Sequence, residues 1–116
     1  MFKAMALLCK RADMSKEEFI EYYEKVGAKL LLKYQPQLCG FRRNFLDLNG
    51  AVIYPGAKAL DFDVIAEFWY PDRAAYEAAM DVFNHKETDD LLSDDEDKFL
   101  DRTKTRFFIV DEFVSR

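Results

Sequence analysis

Residues Phe62 to Tyr70, FDVIAEFWY, closed by Pro71, set the tightest limit on what this chain can become. The run is β-branched and aromatic, holds no glycine and stops at a proline, which is the pattern of a strand near the middle of a sheet. A period of two puts Val64, Ala66, Phe68 and Tyr70 on one side, with Ile65, Glu67 and Trp69 on the other. Both sides are mostly apolar, so both need cover. Phe2 to Lys10 makes the same double demand, with Ala4, Ala6 and Leu8 opposite Met5, Leu7 and Cys9.

The remaining elements follow in order. Ser15 with Glu18 three residues on is a capping box, and it opens a helix. Phe19, Tyr22, Tyr23, Val26, Leu30 and Tyr34 then give that helix one apolar stripe up to Pro36. Gly27 flanks the stripe. A glycine inside a helix costs about 1 kcal/mol against alanine, so it implies a packing or space requirement. Cys39 to Leu48 reads as a third strand, with Arg42, Asn44 and Leu46 on one side and Phe41, Arg43 and Phe45 on the other. Asn49 to Asp61 has no period, and a loop of that length is either a functional flap or a mobile segment. Asp72 caps a second helix carrying Tyr76, Ala79, Met80 and Phe83, which breaks at Asn84-His85. Ser93 and Glu96 form a second capping box, predicting a short helix to about Leu100 with Asp94, Asp95, Glu96 and Asp97 in its first turn, where the helix dipole favours negative charge. Arg106 to Phe113 is the last strand.

The order β-α-β-β-α-β is a ferredoxin-like α+β pattern, an antiparallel sheet with helices on one face, formed by a single domain over residues 1–116. One chain has no helices left for the second face. A second copy placed there by a two-fold axis is the simplest cover, so a homodimer packed sheet on sheet is expected.

Composition narrows the function. A net charge of −5 without a basic stripe argues against a nucleic-acid partner. No apolar run approaches the ~20 residues of a membrane span. The N-terminal apolar run is short and followed by Lys10-Arg11, so it reads as a strand and not a signal peptide, and a cytoplasmic location is expected. Cys9 and Cys39 lack a CxxC partner and are expected as buried thiols. No phosphate-cradling glycine loop, nucleophile elbow or zinc spacing is found, and a lone histidine is a poor metal site. The aromatic share, 16%, points to a heavy core or a lined pocket.

Taken together, KAMALLCKRADMSKEEFIEYYEKVGAKL, CGFRRN, DVIAEFWYPDRAAYEAAM and DDEDKFLDRTKTRFFIVDEF resemble the EthD family of dimeric α+β barrel proteins. The resemblance covers most of the chain. It implies a dimer, a pocket between sheet and helices in each subunit, and proton-transfer chemistry on small cyclic or aromatic molecules with no metal or organic cofactor. The family commonly carries a histidine in the first helix, and here the matching run is Gly27-Ala28-Lys29. Its acid/base therefore cannot be carried over, and Gly27 is expected to enlarge the pocket beside Tyr23.

The candidate catalytic groups are Tyr23, His85 and Asn44. Tyr22 and Tyr23 fall on the helix stripe, where a phenol can hydrogen-bond a ligand, or simply find a partner in the core. His85 is the one imidazole, a group suited to general acid/base work, but it sits in a polar loop, where solvated histidines are common. Arg42 and Asn44 share a strand face: were it the pocket face, Arg42 would hold a carboxylate and Asn44 polarise a carbonyl. Otherwise Arg42 reaches into solvent. Phe68, Tyr70 and Gly27 are expected to shape the substrate site. Glu67, amid Ile65 and Trp69, calls for a basic partner, with Arg43 or Arg106 in view. The resulting expectation is a cofactor-independent enzyme acting on an aromatic or polyketide-derived cyclic acid by decarboxylation, dehydration/cyclisation or isomerisation. The alternative is a non-catalytic dimeric binding protein for a hydrophobic ligand.

Overall fold

The computed structural model describes residues 1–116. Four strands, β1 (Phe2–Leu8), β2 (Gly40–Phe45), β3 (Val64–Tyr70) and β4 (Arg106–Val110), form one antiparallel sheet in the order β2-β3-β1-β4. This is the ferredoxin-like α+β arrangement. The strand that opened the sequence reading is internal: β3 runs against β1 from Tyr70↔Phe2 to Val64↔Leu8, and against β2 from Trp69↔Gly40 to Val64↔Phe45. Its side chains sort by the pleat as the period of two requires. Val64, Ala66, Phe68 and Tyr70 are buried under the helices, while Ile65, Glu67 and Trp69 are half-buried on the open face.

The first helix starts at the capping box. The Ser15 hydroxyl accepts from the Glu18 N–H at 3.1 Å and the Glu18 carboxylate accepts from the Ser15 N–H at 3.0 Å. It is not one uninterrupted helix. After α1 (Lys16–Tyr22) the residues Tyr23–Gly27 form a π turn, in which the Ala28 N–H bonds the Tyr23 carbonyl five residues back, and α2 (Ala28–Tyr34) follows. The turn adds one residue and shifts the inward face: Val26 of the expected stripe is 42% exposed, while Gly27, Ala28 and Leu31 lie toward the sheet, a change that apolar spacing alone does not reveal. Gly27 sits at its end for a steric reason: a Cβ there would lie 2.9 Å from Phe99 Cζ.

Asp72 caps α3 (Arg73–Met80) by accepting from the Ala75 N–H at 2.8 Å, and a 3-10 turn over Asp81–Asn84 leads to α4 (Lys86–Glu96). Here the expectation of a new helix at Ser93 fails. Ser93 lies inside α4, which ends at Glu96, so the acidic run occupies the helix C-terminus, where the dipole opposes negative charge. Other groups offset that cost. Arg102 Nε lies 3.4 Å from Glu96 Oε2, its Nη1 3.5 Å from Asp97 Oδ1, and the Tyr22 hydroxyl donates to Asp95 Oδ1 at 2.5 Å.

Two smaller expectations are also corrected. Glu67 pairs with Lys3 at 2.8 Å and accepts from Asn44 Nδ2 at 2.9 Å. Arg43 lies on the opposite side of the sheet, clamped on Glu24, and Arg106 holds Asp61 instead. Cys39 is exposed and only Cys9 is part-buried. The segment between β2 and β3 has no regular structure for most of its length and leaves Val52, Ile53 and Tyr54 exposed.

One polar pair closes the core at the end of α2. Tyr70, with no exposed surface, donates its hydroxyl to Gln35 Oε1 at 2.7 Å, and Gln35 is 2% exposed. Tyr70→Phe should therefore leave a buried amide oxygen unpaired and lower stability by about 1–3 kcal/mol. The double variant Tyr70→Phe/Gln35→Leu, which removes both partners, should recover most of that loss in urea denaturation.

Candidate functional site

The helices do not seal onto the sheet everywhere. Over small Ala6 a cavity of about 260 Å³ remains between the layers; Gly27 lines it but does not enlarge it as expected, because the Phe99 ring takes the space of the missing side chain. Its floor is Ala6 and Leu8 of β1, Phe68 of β3 and Phe107 of β4. Tyr23, Gly27, Leu31 and Gln35, spaced by four, line it from the first helical segment. Leu92, Asp95 and Glu96 of α4, with Phe99 and Leu100 after it, form a wall. An apolar cavity of about 150 Å³ holds benzene, so this space suits a substituted ring or a fused pair of rings.

Few polar groups reach the cavity, and their states follow from burial. Glu96 has its carboxyl pKa raised, first by desolvation; Arg102 opposes the rise, and the neighbouring Asp95 and Asp97 add to it. Glu96 thus holds a proton closer to neutral pH than an ordinary glutamate. Tyr23 is 4% exposed and its hydroxyl has no hydrogen-bond partner within the chain; burial pushes its pKa well above the usual tyrosine value. Tyr23 is wedged among Phe19, Phe45 and Phe99, with ring centroids 5.0 to 6.0 Å apart. Tyr22, pushed up to about 12 by burial and by Asp95, spends its hydroxyl on that carboxylate.

Of the residues singled out from sequence, Tyr23, Gly27 and Phe68 meet at the cavity. Tyr22 and Tyr70 stand one bond behind it, each hydrogen-bonded to a lining residue, Asp95 and Gln35. Arg42 and Asn44 do not reach it. Phe41 and Phe45 pack inward, Phe41 stacking on Phe68 at 5.0 Å, so the pleat turns Arg42 and Asn44 to the open face. There Arg42 lies over the Trp69 ring at 4.1 Å, and Asn44 bonds Glu67. His85 precedes α4 on the surface, 3.0 Å from Asp81 Oδ2. Asp95, Glu96, Gln35 and Thr105 were missed. A signal for the first two existed: Leu92, Asp95, Glu96 and Phe99 share helical spacing, which places both carboxylates on the inward side once α4 is allowed to begin at Lys86. No group of three His, Cys, Asp or Glu side chains is arranged to hold a metal ion.

The sequence matches the EthD domain over residues 11–103, most of its length. The chain belongs to the EthD family. An EthD family protein of Bacillus halodurans superposes with a TM-score of 0.63 at 20% identity, over 97% of this chain and 100% of its own. A protein of Arabidopsis thaliana has the same fold, with a TM-score of 0.64 at 14% identity for its crystal structure, over 100% of this chain and 99% of its own. Its solution structure scores 0.61, over 99% of this chain and 90% of its own. No curated protein matches the sequence. This EthD protein has glycine where the resemblance led one to expect the helix histidine, and the cavity beside that glycine holds a carboxyl instead. No helix is long and apolar enough to cross a membrane.

The position of Glu96 makes a pH-dependent prediction. A carboxyl whose pKa is raised on folding binds protons as the chain folds. Its burden on the fold is therefore absent at acid pH and appears as pH climbs from the ordinary glutamate value, about 4.3, through the raised one. Glu96→Gln, which cannot ionise, should melt higher than the wild type near neutral pH, with the margin closing below about pH 4. Thermal melts across that range check the sign.

Proposed function

We propose that this EthD protein is a homodimeric, cofactor-independent enzyme that carries out proton transfer on a flat, largely apolar molecule held in the cavity of each subunit. An aromatic or polyketide-derived cyclic acid, decarboxylated, cyclised or isomerised, fits that chemistry. The observation that carries the reading is Glu96: a carboxyl at the wall of an apolar cavity, its affinity for a proton raised by burial and checked by Arg102 at 3.4 Å. A carboxyl with its pKa raised is better poised than an ordinary glutamate both to give and to take a proton. Tyr23, with an unengaged hydroxyl in the same cavity, donates to an oxygen on which charge builds up. His85 and Asn44 lie off the cavity and contribute no proton under this reading.

The dimer rests on the open face. Met5, Leu7, Ile65 and Trp69 make it apolar, and the charged pair at its centre, Lys3 with Glu67, is already matched within the chain at 2.8 Å. Covering it with a second copy therefore strands no carboxylate. A non-catalytic binding protein remains the second reading, favoured by Gly27 where the family's histidine is expected.

Two measurements test this. Light scattering at micromolar concentration should give a dimer, and Leu7→Asp a folded monomer; a wild-type monomer would remove the dimer from the proposal. A panel of aromatic β-keto acids should be turned over by the wild type, with Glu96→Gln losing about 100-fold or more and His85→Ala nearly none. Ligand bound in the cavity without conversion of any acid would leave the binding protein.

A further inference from the structure

The cavity has a second polar end that the proton-transfer reading does not use. Gln35 follows the last turn of α2 and is 2% exposed, yet it lines the cavity. Its Oε1 is occupied by the Tyr70 hydroxyl at 2.7 Å. That bond fixes which way the amide points. Tyr70 is fully buried and Gln35 is the sole partner of its hydroxyl; the phenol donates and the amide oxygen accepts, which spares the O–H from lying buried and unmatched. The N–H₂ is left for the other side, and no group of the protein receives it. It is not sealed in the core either, because the one sealed side-chain atom without a partner is Gln37 Oε1. A donor this deeply enclosed and left unmatched is costly unless something in the cavity accepts from it.

Its place along the helix matters as much as its chemistry. Tyr23 and Gln35 are twelve residues apart on the same side of the first helical segment, with Gly27 and Leu31 between them. At 1.5 Å per residue their Cα atoms are about 18 Å apart, so the two donors cannot grip one atom. They mark opposite ends of an apolar slot.

We infer that Gln35 is a ligand-anchoring residue whose amide N–H₂ binds an acceptor oxygen at the end of the cavity remote from Tyr23 and Glu96. The inference rests on the cavity being the ligand site. It narrows the ligand class to an elongated, flat molecule with an uncharged acceptor oxygen, a ketone, ester or quinone carbonyl, at the end away from the exchanging proton. A neutral amide matches a neutral carbonyl, and Gln35 has no cationic neighbour among the lining residues to hold a carboxylate there.

A matched pair of probes reads this directly: 2-acetylnaphthalene, which carries the carbonyl, and 2-ethylnaphthalene, which has nearly the same shape without it. Equilibrium dialysis of the full chain should show the acetyl compound bound about tenfold more tightly than the ethyl compound by the wild type. In Tyr70→Phe/Gln35→Leu, which loses both partners of the buried bond together, the ethyl compound should bind as before and the preference should vanish. Should that variant not fold, Gln35→Glu at pH 8 keeps an acceptor for Tyr70 while removing the N–H₂, and the same loss of preference is expected. A carbonyl preference that survives these changes, or none in the wild type while both probes bind, would overturn the role of Gln35 and leave the cavity as a ligand site. Binding of neither probe would overturn both.

Discussion

A single layer of helices covers a sheet whose two central strands carry apolar side chains on both surfaces, and the rest of the molecule follows from that imbalance. On the helix side β1 contributes Ala4, Ala6 and Leu8 and β3 contributes Val64, Ala66, Phe68 and Tyr70, all nearly or fully buried. Small and large residues alternate there. Ala6 and Phe68 from the sheet and Tyr23 and Phe99 from the helical side all line the cavity left between the two layers. On the other side the pleat leaves Met5, Leu7, Ile65 and Trp69 with no cover from their own chain.

The chemistry of the cavity comes from an electrostatic conflict in α4. Carboxylates crowd its C-terminal end, against the helix dipole. Arg102 and Tyr22 relieve Asp97, Glu96 and Asp95 unequally. Asp95 receives a short hydrogen bond from Tyr22, whereas Glu96 has only a longer contact with Arg102 and stays at the cavity wall. Adjacent carboxyls thereby sit in different environments, Asp95 engaged as an acceptor and Glu96 left at the cavity with its pKa raised by desolvation.

Proteins at 14% and 20% identity share the fold over nearly the whole chain. What such distant chains must keep in common is pattern: alternation in the strands, an apolar stripe on each helix and an inward face of suitable volume. Individual polar groups in the cavity are under no such demand from the fold. The glycine at position 27 shows this. It fits the backbone because the Phe99 ring fills the space a side chain would take, and the carboxyl at the cavity comes from another wall.

Alternation in Phe2–Leu8 and Val64–Tyr70, the capping box at Ser15 and the cap at Asp72 are local, so the strands, the helix starts and the two-faced sheet were legible in the chain itself. The pairing Ser93/Glu96 was legible too, and it misled: a capping box acts only where backbone N–H groups are free, and those of Ser93 to Glu96 lie in the last turns of α4, already bonded within the helix. Which face of β2 meets the helices, which carboxyl is left without a strong partner, and which amide of a buried pair turns toward empty space are relations between residues far apart in sequence. Arg42 and Asn44 went to the open face because Phe41 and Phe45 found Phe68 and Phe19, and Gln35 met Tyr70 across thirty-five positions. The chain determines its own elements because backbone preferences and periodicity act over a few residues. The site waited for the tertiary structure, since burial and charge are set by whatever the packing brings alongside.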